Sequence, residues 1–213
     1  MIPTKIIAEQ REVEALKNLQ HFGFLTTKSI AELTDGASGE TALKSAKRVI
    51  RRLLEKKQIL KRKSVEGINC YVLTIKGAER AKPYTLLNVA KSGAELETRY
   101  AKRQESIVTT LIEIKTKFKG ILLGEVYLKR DIKKFFVGMH GQVWNPDKKQ
   151  GIGVYFIPSL KDEIAMHVIR LELKTKQYIK EIHLISFEPN TPIIMNKKIK
   201  AIKNTMPARP IDL

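Results

Sequence analysis

Cysteine is almost absent from this chain of 213 residues, and this absence narrows the chemistry open to it. Cys70 is the only cysteine, which excludes an internal disulfide and any zinc site built from several cysteines. The histidines are scattered without the spacing of metal ligands, at His21, His140, His167 and His183. Walker-type, glycine-rich and nucleophilic serine motifs are also missing, so nucleotide hydrolysis has no support. We therefore predict no metal site, no catalytic site and no cofactor.

Long apolar runs and aromatic side chains are scarce as well. Nowhere do about 18 apolar residues follow one another, as a membrane-spanning helix requires. The first nine residues carry no sustained apolar stretch either, so we expect a soluble, cytoplasmic protein without a membrane partner. Aromatic residues make up only 7% of the chain and lack the stacking pattern of RNA-recognition sheets.

Acidic residues are outnumbered throughout the chain. Forty lysines and arginines stand against 22 acids, which gives a net charge of +18. Residues 1–82 carry 17 basic and 9 acidic side chains, a net +8, and the remainder carries 23 and 13, a net +10. An excess of this size indicates association with a polyanion, and by itself it leaves DNA, RNA and the ribosome open as partners.

The densest run of positive charge lies between residues 41 and 63. Ten lysines and arginines stand there against a single acid, Glu55. Apolar side chains recur at helical spacing in the first part of this run, which predicts an amphipathic helix with a packed face and cationic remaining faces. Those residues are Leu43, Ala46, Val49, Ile50, Leu53 and Leu54. A solvated surface helix has the same pattern, so the neighbouring segments must distinguish it from a helix that binds a polyanion.

The segments on either side of this helix predict further elements in a definite order. Periodic stretches at 9–22 and 28–33 predict two helices before it, with Thr26 or Thr27 capping the second. Residues 59–63 and 70–73 predict a β-hairpin after it, followed by a helical turn that begins at Thr74 and contains Gly77. The element order, the helix ending RRLLEKKQIL and the sequence Leu73-Thr74-x-x-Gly carry a resemblance to a winged helix-turn-helix. It covers residues 9–82 of a domain that we place at 1–82.

The resemblance implies a division of labour among the polar residues of this domain. Side chains near the start of the basic helix would reach base edges, and these are Thr41, Lys44, Ser45 and Arg48. Cations further along the helix and on the hairpin would contact the sugar-phosphate backbone, and these are Lys47, Arg51, Arg52, Lys56, Lys61, Arg62 and Lys63. The alternative for this second group is a solvated helix face.

Beyond residue 82 we predict a connector with a long helix at 83–118 and a C-terminal α/β domain at 119–213. The helix, at 94–118, has an apolar stripe that either covers its own domain or forms a dimer interface, made of Ile107, Leu111, Ile114 and Phe118. The last domain should contain a helix-like stretch at 126–136, a glycine-containing loop at 138–141, and a parallel strand-helix-strand unit at 151–157, 160–178 and 181–187. A basic tail should be loosely ordered and add phosphate contacts, through Lys197, Lys198, Lys200 and Lys203.

This arrangement, with Leu123-Gly124-Glu125 and Pro146-Asp147 in the second half, is similar to the replication-relaxation proteins of plasmids and conjugative elements. The resemblance implies an α+β chain whose small C-terminal domain looks like a degenerate restriction endonuclease. It also implies an accessory role at an origin of transfer or replication, with double-stranded DNA and a relaxase or replication initiator as partners, in a homodimer or a monomer. A winged-helix transcriptional repressor is the alternative function.

A metal-dependent nuclease is the third hypothesis, and it depends on carboxylates. Such an enzyme needs an acid from a Pro-Asp turn, for which Asp147 is the candidate, and then an acid and a lysine on the next strand. The strand at 154–158 has neither, and Glu172 and Lys174 fall on the predicted helix instead. Glu125 with Asp147 is the only remaining pair, so we expect a binding protein and no enzyme.

Overall fold

The computed structural model describes residues 4–35, 39–84, 101–118, 121–124, 140–145, 147–157, 163–186 and 199–203. Within these ranges the chain is of mixed α+β class, as expected, with six α-helices and two sheets. The helices are α1 (Thr4–Phe22), α2 (Thr27–Asp35), α3 (Glu40–Glu55), α4 (Ile75–Ala81), α5 (Ala101–Phe118) and α6 (Glu163–Thr175). The strands are β1 (Phe24–Thr26), β2 (Ile59–Lys63), β3 (Asn69–Leu73), β4 (Ile121–Gly124), β5 (Gly141–Asn145), β6 (Gln150–Phe156), β7 (Ile179–Ser186) and β8 (Ile199–Lys203).

The first sheet has the strand order β1-β3-β2, and both pairings are antiparallel. β2 and β3 form the hairpin that the sequence predicts. Its turn is closed by Ser64, whose carbonyl oxygen accepts from Gly67 N at 3.0 Å and whose hydroxyl accepts from Ile68 N at 3.1 Å. Gly67 has a φ of 75°, a conformation that glycine adopts without strain.

Threonine caps begin two of the short helices. Ser29 N donates to Thr26 Oγ1 at 3.3 Å before α2, and Gly77 N donates to Thr74 Oγ1 at 3.1 Å before α4. Both threonines are among the residues expected to start helical turns. Gly77 also has a packing role, because a Cβ atom there would lie 2.0 Å from the carbonyl oxygen of Gln58. The glycine therefore lets α4 approach the segment that follows α3.

The second sheet has the order β4-β5-β6-β7-β8, antiparallel over the first three strands and parallel over the last three. The predicted parallel pairing of two strands joined by a helix is confirmed by β6, α6 and β7. The expected helix is too long at its C-terminal end, because the helix ends at Thr175 and Tyr178 lies in the turn before β7, while residues 160–162 lie outside the described residues.

Some expectations for the second half require correction, and others concern segments outside the described residues. Gly141, expected in a loop, begins β5, and β4 was not predicted at all. Part of the basic tail is also ordered, since Ile199–Lys203 forms β8 alongside β7. Short strands that contain glycine have too few alternating apolar and polar residues to be recognised from the sequence. The helix-like stretch at 126–136 and the start of the long helix at 94–100 lie outside the described residues.

One hydrophobic core joins the first sheet and its helices to α5 and the second sheet. Ile107, Leu111 and Ile114 of α5 are buried in it, so this stripe packs within the chain and does not form a free dimer surface. Leu111 lies against Gly141, where an added Cβ would meet its Cδ1 at 2.4 Å. A second cluster lies between α6 and the other face of the second sheet, around Tyr155.

Polar contacts also connect α5 to the N-terminal elements. Thr26 Oγ1 donates to Glu105 at 2.5 Å, and Thr109 Oγ1 donates to Glu32 at 3.2 Å. Burial raises the pKa of Glu32, with the nearby acids adding to the effect and Lys28 and Thr109 opposing it.

Among the described residues, no helix combines the length and apolar character needed to cross a bilayer.

Candidate nucleic-acid interface

Helix α3 is amphipathic, as its sequence predicts. Its buried residues are Ala42, Ala46, Val49, Ile50 and Leu53. This face packs against α1, α2 and β2. Leu43 and Leu54, which we expected in the packed stripe, are only half-buried at its edges, and Ala42 takes a place that the apolar pattern missed. The helix is therefore fixed to the core along one side, and its opposite side faces away from the elements that hold it.

The opposite side of α3 carries four exposed cations, Lys44, Lys47, Arg48 and Arg51. Lys44 pairs with Glu40 at 2.7 Å, and Arg51 Nε lies 3.8 Å from Glu55 Oε1. Such solvent-exposed pairs are weak and leave the cations available to other anions.

Two cations of this surface are not held by a neighbouring acid. Lys47 and Arg48 make no hydrogen bond or ion pair within the described part of the chain. Thr41 is exposed near them, whereas Ser45 is half-buried at the edge of the packed face. The predicted base-reading residues thus share one side of the helix, with Ser45 the least accessible.

Arg52 and Lys56, which we expected at the DNA backbone, contact an internal carboxylate instead. Arg52 Nε lies 3.0 Å from Glu12 Oε1, and Lys56 Nζ lies 2.6 Å from Glu12 Oε2. Arg80 Nη1 of α4 donates to Glu12 Oε2 at 2.9 Å and to Gln58 Oε1 at 2.8 Å. The Glu12 cluster, made of these five residues, joins α1 to the end of α3 and to α4.

The electrostatics of Glu12 follow from this geometry. The side chain is only 3% exposed, and burial alone would raise its pKa. Hydrogen bonds from Lys56 and Arg80, together with their charges, outweigh burial and lower the pKa of Glu12 below its ordinary value. Sequence reasoning missed this residue, although a signal exists: Glu12 lies on the same helical stripe as Leu16 and Leu19, where an acid needs a partner.

The three hairpin cations are exposed, but they do not share one face of the sheet. Lys61 pairs with Tyr71 across the ladder, and Arg62 pairs with Cys70. Tyr71 belongs to the core that also contains the packed face of α3. Cys70 is aligned with Thr26, which contacts α5 through Glu105. Alternation therefore assigns Lys61 and Lys63 to the Tyr71 face of the sheet, and Arg62 to the opposite face, on which Thr26 contacts α5.

The tip of the hairpin is attached to the first turn of α5. Glu66 Oε2 accepts a hydrogen bond from the backbone nitrogen of Lys102 at 3.0 Å. This contact holds the hairpin turn in a fixed position, while Val65 beside it remains exposed.

Among the described residues, Cys70 is buried and His140 is half-buried. Burial raises the pKa of the Cys70 thiol to about 12, and this side chain packs as a small hydrophobe. Burial, reinforced by the charge of Arg103, lowers the pKa of His140 to about 3. Its Nδ1 accepts from Phe156 N at 3.0 Å, and Arg103 contacts Nε2 and lies 4.4 Å above the Phe156 ring. This neutral imidazole joins α5 to β6.

The carboxylates of the nuclease hypothesis are not brought together where the structure describes them. Asp147 is exposed in the turn between β5 and β6, and Glu172 pairs with Lys176 at 3.0 Å on α6. Glu125 lies outside the described residues. Across the described ranges, no group of three or more histidine, cysteine, aspartate or glutamate side chains has the geometry of a metal site.

Comparisons of the chain with protein-family models, with curated proteins and with solved structures found no match.

Proposed function

We propose that this chain is a sequence-specific double-stranded DNA-binding protein whose N-terminal elements form a winged helix. The observation that carries the proposal is the solvent-facing side of α3, where exposed lysines and arginines lie opposite a fully packed apolar face. An amphipathic helix held in this way presents its cations in one direction, as a helix entering a groove requires.

The arrangement of elements supports the same proposal. The order α1, α2, α3, β2, β3 is the element order on which the winged-helix hypothesis is based, and β1, which was not expected, joins the hairpin in a three-stranded antiparallel sheet β1-β3-β2. The 16 residues of α3 span about 24 Å. The major groove of B-DNA, about 12 Å wide, admits a helix.

The contacts of each side chain refine the division between reading and positioning. We assign base reading to Thr41, Lys44 and Arg48, with Ser45 restricted by its partial burial. Backbone phosphates are assigned to Lys47 and Arg51 on the helix and to Lys61 and Lys63 on the hairpin. Arg52 and Lys56 act mainly through Glu12, by fixing the end of α3.

We further propose an accessory role at an origin of transfer or replication, with a relaxase or replication initiator as partner. This role rests on the resemblance to replication-relaxation proteins, and the charges on α3 fit a transcriptional repressor equally well. We propose no enzymatic activity, because the β6 strand offers no acid or lysine to complete a metal cage with Asp147. Metal-dependent nicking of plasmid DNA that is lost in Asp147→Ala would contradict this.

Selection of bound duplexes from a random pool tests the proposed function. The wild-type chain should enrich a defined sequence, and the Arg48→Ala variant should enrich it weakly or not at all. Protection mapping of the enriched sequence in DNA next to the native gene would then assign the site to an origin or to a promoter. Recovery of unselected sequences by the wild type would contradict sequence-specific binding.

A further inference from the structure

A second group of exposed cations lies at one end of the second sheet, far along the chain from α3. Lys148 and Lys149 occupy the turn between β5 and β6, and Lys174 and Lys180 lie on either side of the turn between α6 and β7. All four are exposed. We refer to these four residues as the lysine patch.

Backbone pairing brings the two turns together. Gly151 N donates to Tyr178 O at 2.8 Å, and Gly151 is aligned with Ile179 in the parallel ladder. The Trp144 and Tyr178 rings meet edge to face, with centroids 5.6 Å apart. The lysine patch is therefore a fixed feature of the fold, assembled from segments about 30 residues apart along the chain.

The charge balance of this end is strongly positive. Of the nearby acids, Glu172 is paired with Lys176 at 3.0 Å and the half-buried Glu181 contacts His183 at 2.5 Å, which leaves Asp147 as the exposed acid beside the four lysines. Tyr178 is 39% exposed beside them and adds a hydroxyl that can donate to a phosphate oxygen. Lys149 has a φ of 48°, a backbone conformation that is strained for lysine and unstrained for glycine. The turn thus has a charged side chain at a position where glycine would fit better.

We propose that the lysine patch is a second DNA-contact surface, which binds backbone phosphates of the duplex flanking the site read by α3. The inference rests on the proposed function and extends it to the C-terminal half of the chain. Lysine is a flexible point charge suited to phosphates and carries no base-reading geometry, so the patch should add affinity without sequence preference. Tyr178 is a single exposed ring, which is too little for the stacking platform that single-stranded DNA requires.

The test compares two duplexes that share one selected site, a short one and one extended by about two helical turns, about 34 Å each, on either side. A patch variant combines Lys148→Gln, Lys174→Gln and Lys180→Gln. A matched control removes the same charge from exposed positions of α5, through Lys102→Gln, Lys115→Gln and Lys117→Gln. On the extended duplex the patch variant should bind more weakly, with the salt slope reduced by about one unit per lysine. On the short duplex it should match the control.

A further variant separates a binding role from a structural one. Lys149→Gly removes a charge and relieves the backbone, so it should melt no lower than the wild type while binding the extended duplex more weakly. Equal losses of affinity for the patch variant and the α5 control would overturn the inference, and so would an unchanged affinity of the patch variant for the extended duplex. Either result would leave α3-dependent binding intact. A preference for single-stranded DNA that depends on Tyr178 would also overturn it. A wild-type chain that binds neither duplex would overturn the proposed function as well.

Discussion

The Glu12 cluster gives the sharpest prediction about stability. Glu12→Gln keeps the size of the side chain and removes its charge, so Arg52 and Lys56 lose their shared anion and Arg80 retains the exposed Glu9, 3.8 Å from its Nη2. Breaking a buried ion pair by removing one partner costs about 3–5 kcal/mol. Arg52 and Lys56 are 35% and 47% exposed, and solvent screening of these two lowers our expectation to about 2–3 kcal/mol.

Thermal unfolding measures this effect directly. A loss of that size should lower Tm by about 5–10 °C in a chain of this length. The matched control is Glu55→Gln, because Glu55 is 66% exposed and lies 3.8 Å from Arg51. That variant should stay within about 0.5 kcal/mol of the wild type. Equal shifts of Tm for the two variants would refute the assignment of Glu12 as the buried anchor.

The pH dependence of the same variant has a defined sign. The folded-state pKa of Glu12 lies below its unfolded value, so its stabilisation is complete at neutral pH and is lost as the pH falls through the folded-state pKa. The difference in stability between wild type and Glu12→Gln should therefore be constant near pH 7 and shrink in acid. A difference that grows on acidification would contradict the ion-pair account.

Three further predictions concern packing, burial and the hairpin. Gly77→Ala should destabilise the protein by about 1–3 kcal/mol in chemical denaturation, because the new Cβ would lie 2.0 Å from Gln58 O; an unchanged midpoint would contradict this packing. Glu32→Gln should be more stable than wild type at neutral pH, since burial raises the pKa of Glu32, and its advantage should vanish as the pH falls; no advantage at pH 7 would contradict it. Lys61→Ala should reduce the affinity for all duplexes alike, and Arg62→Ala on the opposite sheet face should reduce it less; the reverse order would contradict the strand register.

Local patterns predicted much of the N-terminal half. The packed face of α3, the hairpin and the threonine that begins α4 follow from periodicity, alternation and capping within about 15 residues of chain. The parallel pairing of β6 and β7 was also predictable, because a strand-helix-strand sequence rarely pairs in any other way.

Features that depend on distant residues were not predictable. Glu12 meets Arg52, Lys56 and Arg80 only after three helices have packed, and no spacing in the sequence indicates that partnership. The same limit applies to the hairpin, whose sequence suggests three equivalent cations. Only the register of β2 on β3, together with the position of α5, separates Lys61 from Arg62.

The central claim is that the solvent-facing side of α3 reads base sequence. The most direct measurement compares the binding affinities of Arg48→Ala and Lys61→Ala for a selected duplex and for a scrambled duplex of equal length, at the same salt concentration. We predict that Arg48→Ala loses about 1–3 kcal/mol on the selected duplex and much less on the scrambled one, whereas Lys61→Ala loses the same amount on both. Equal losses for Arg48→Ala on the two duplexes would contradict the claim.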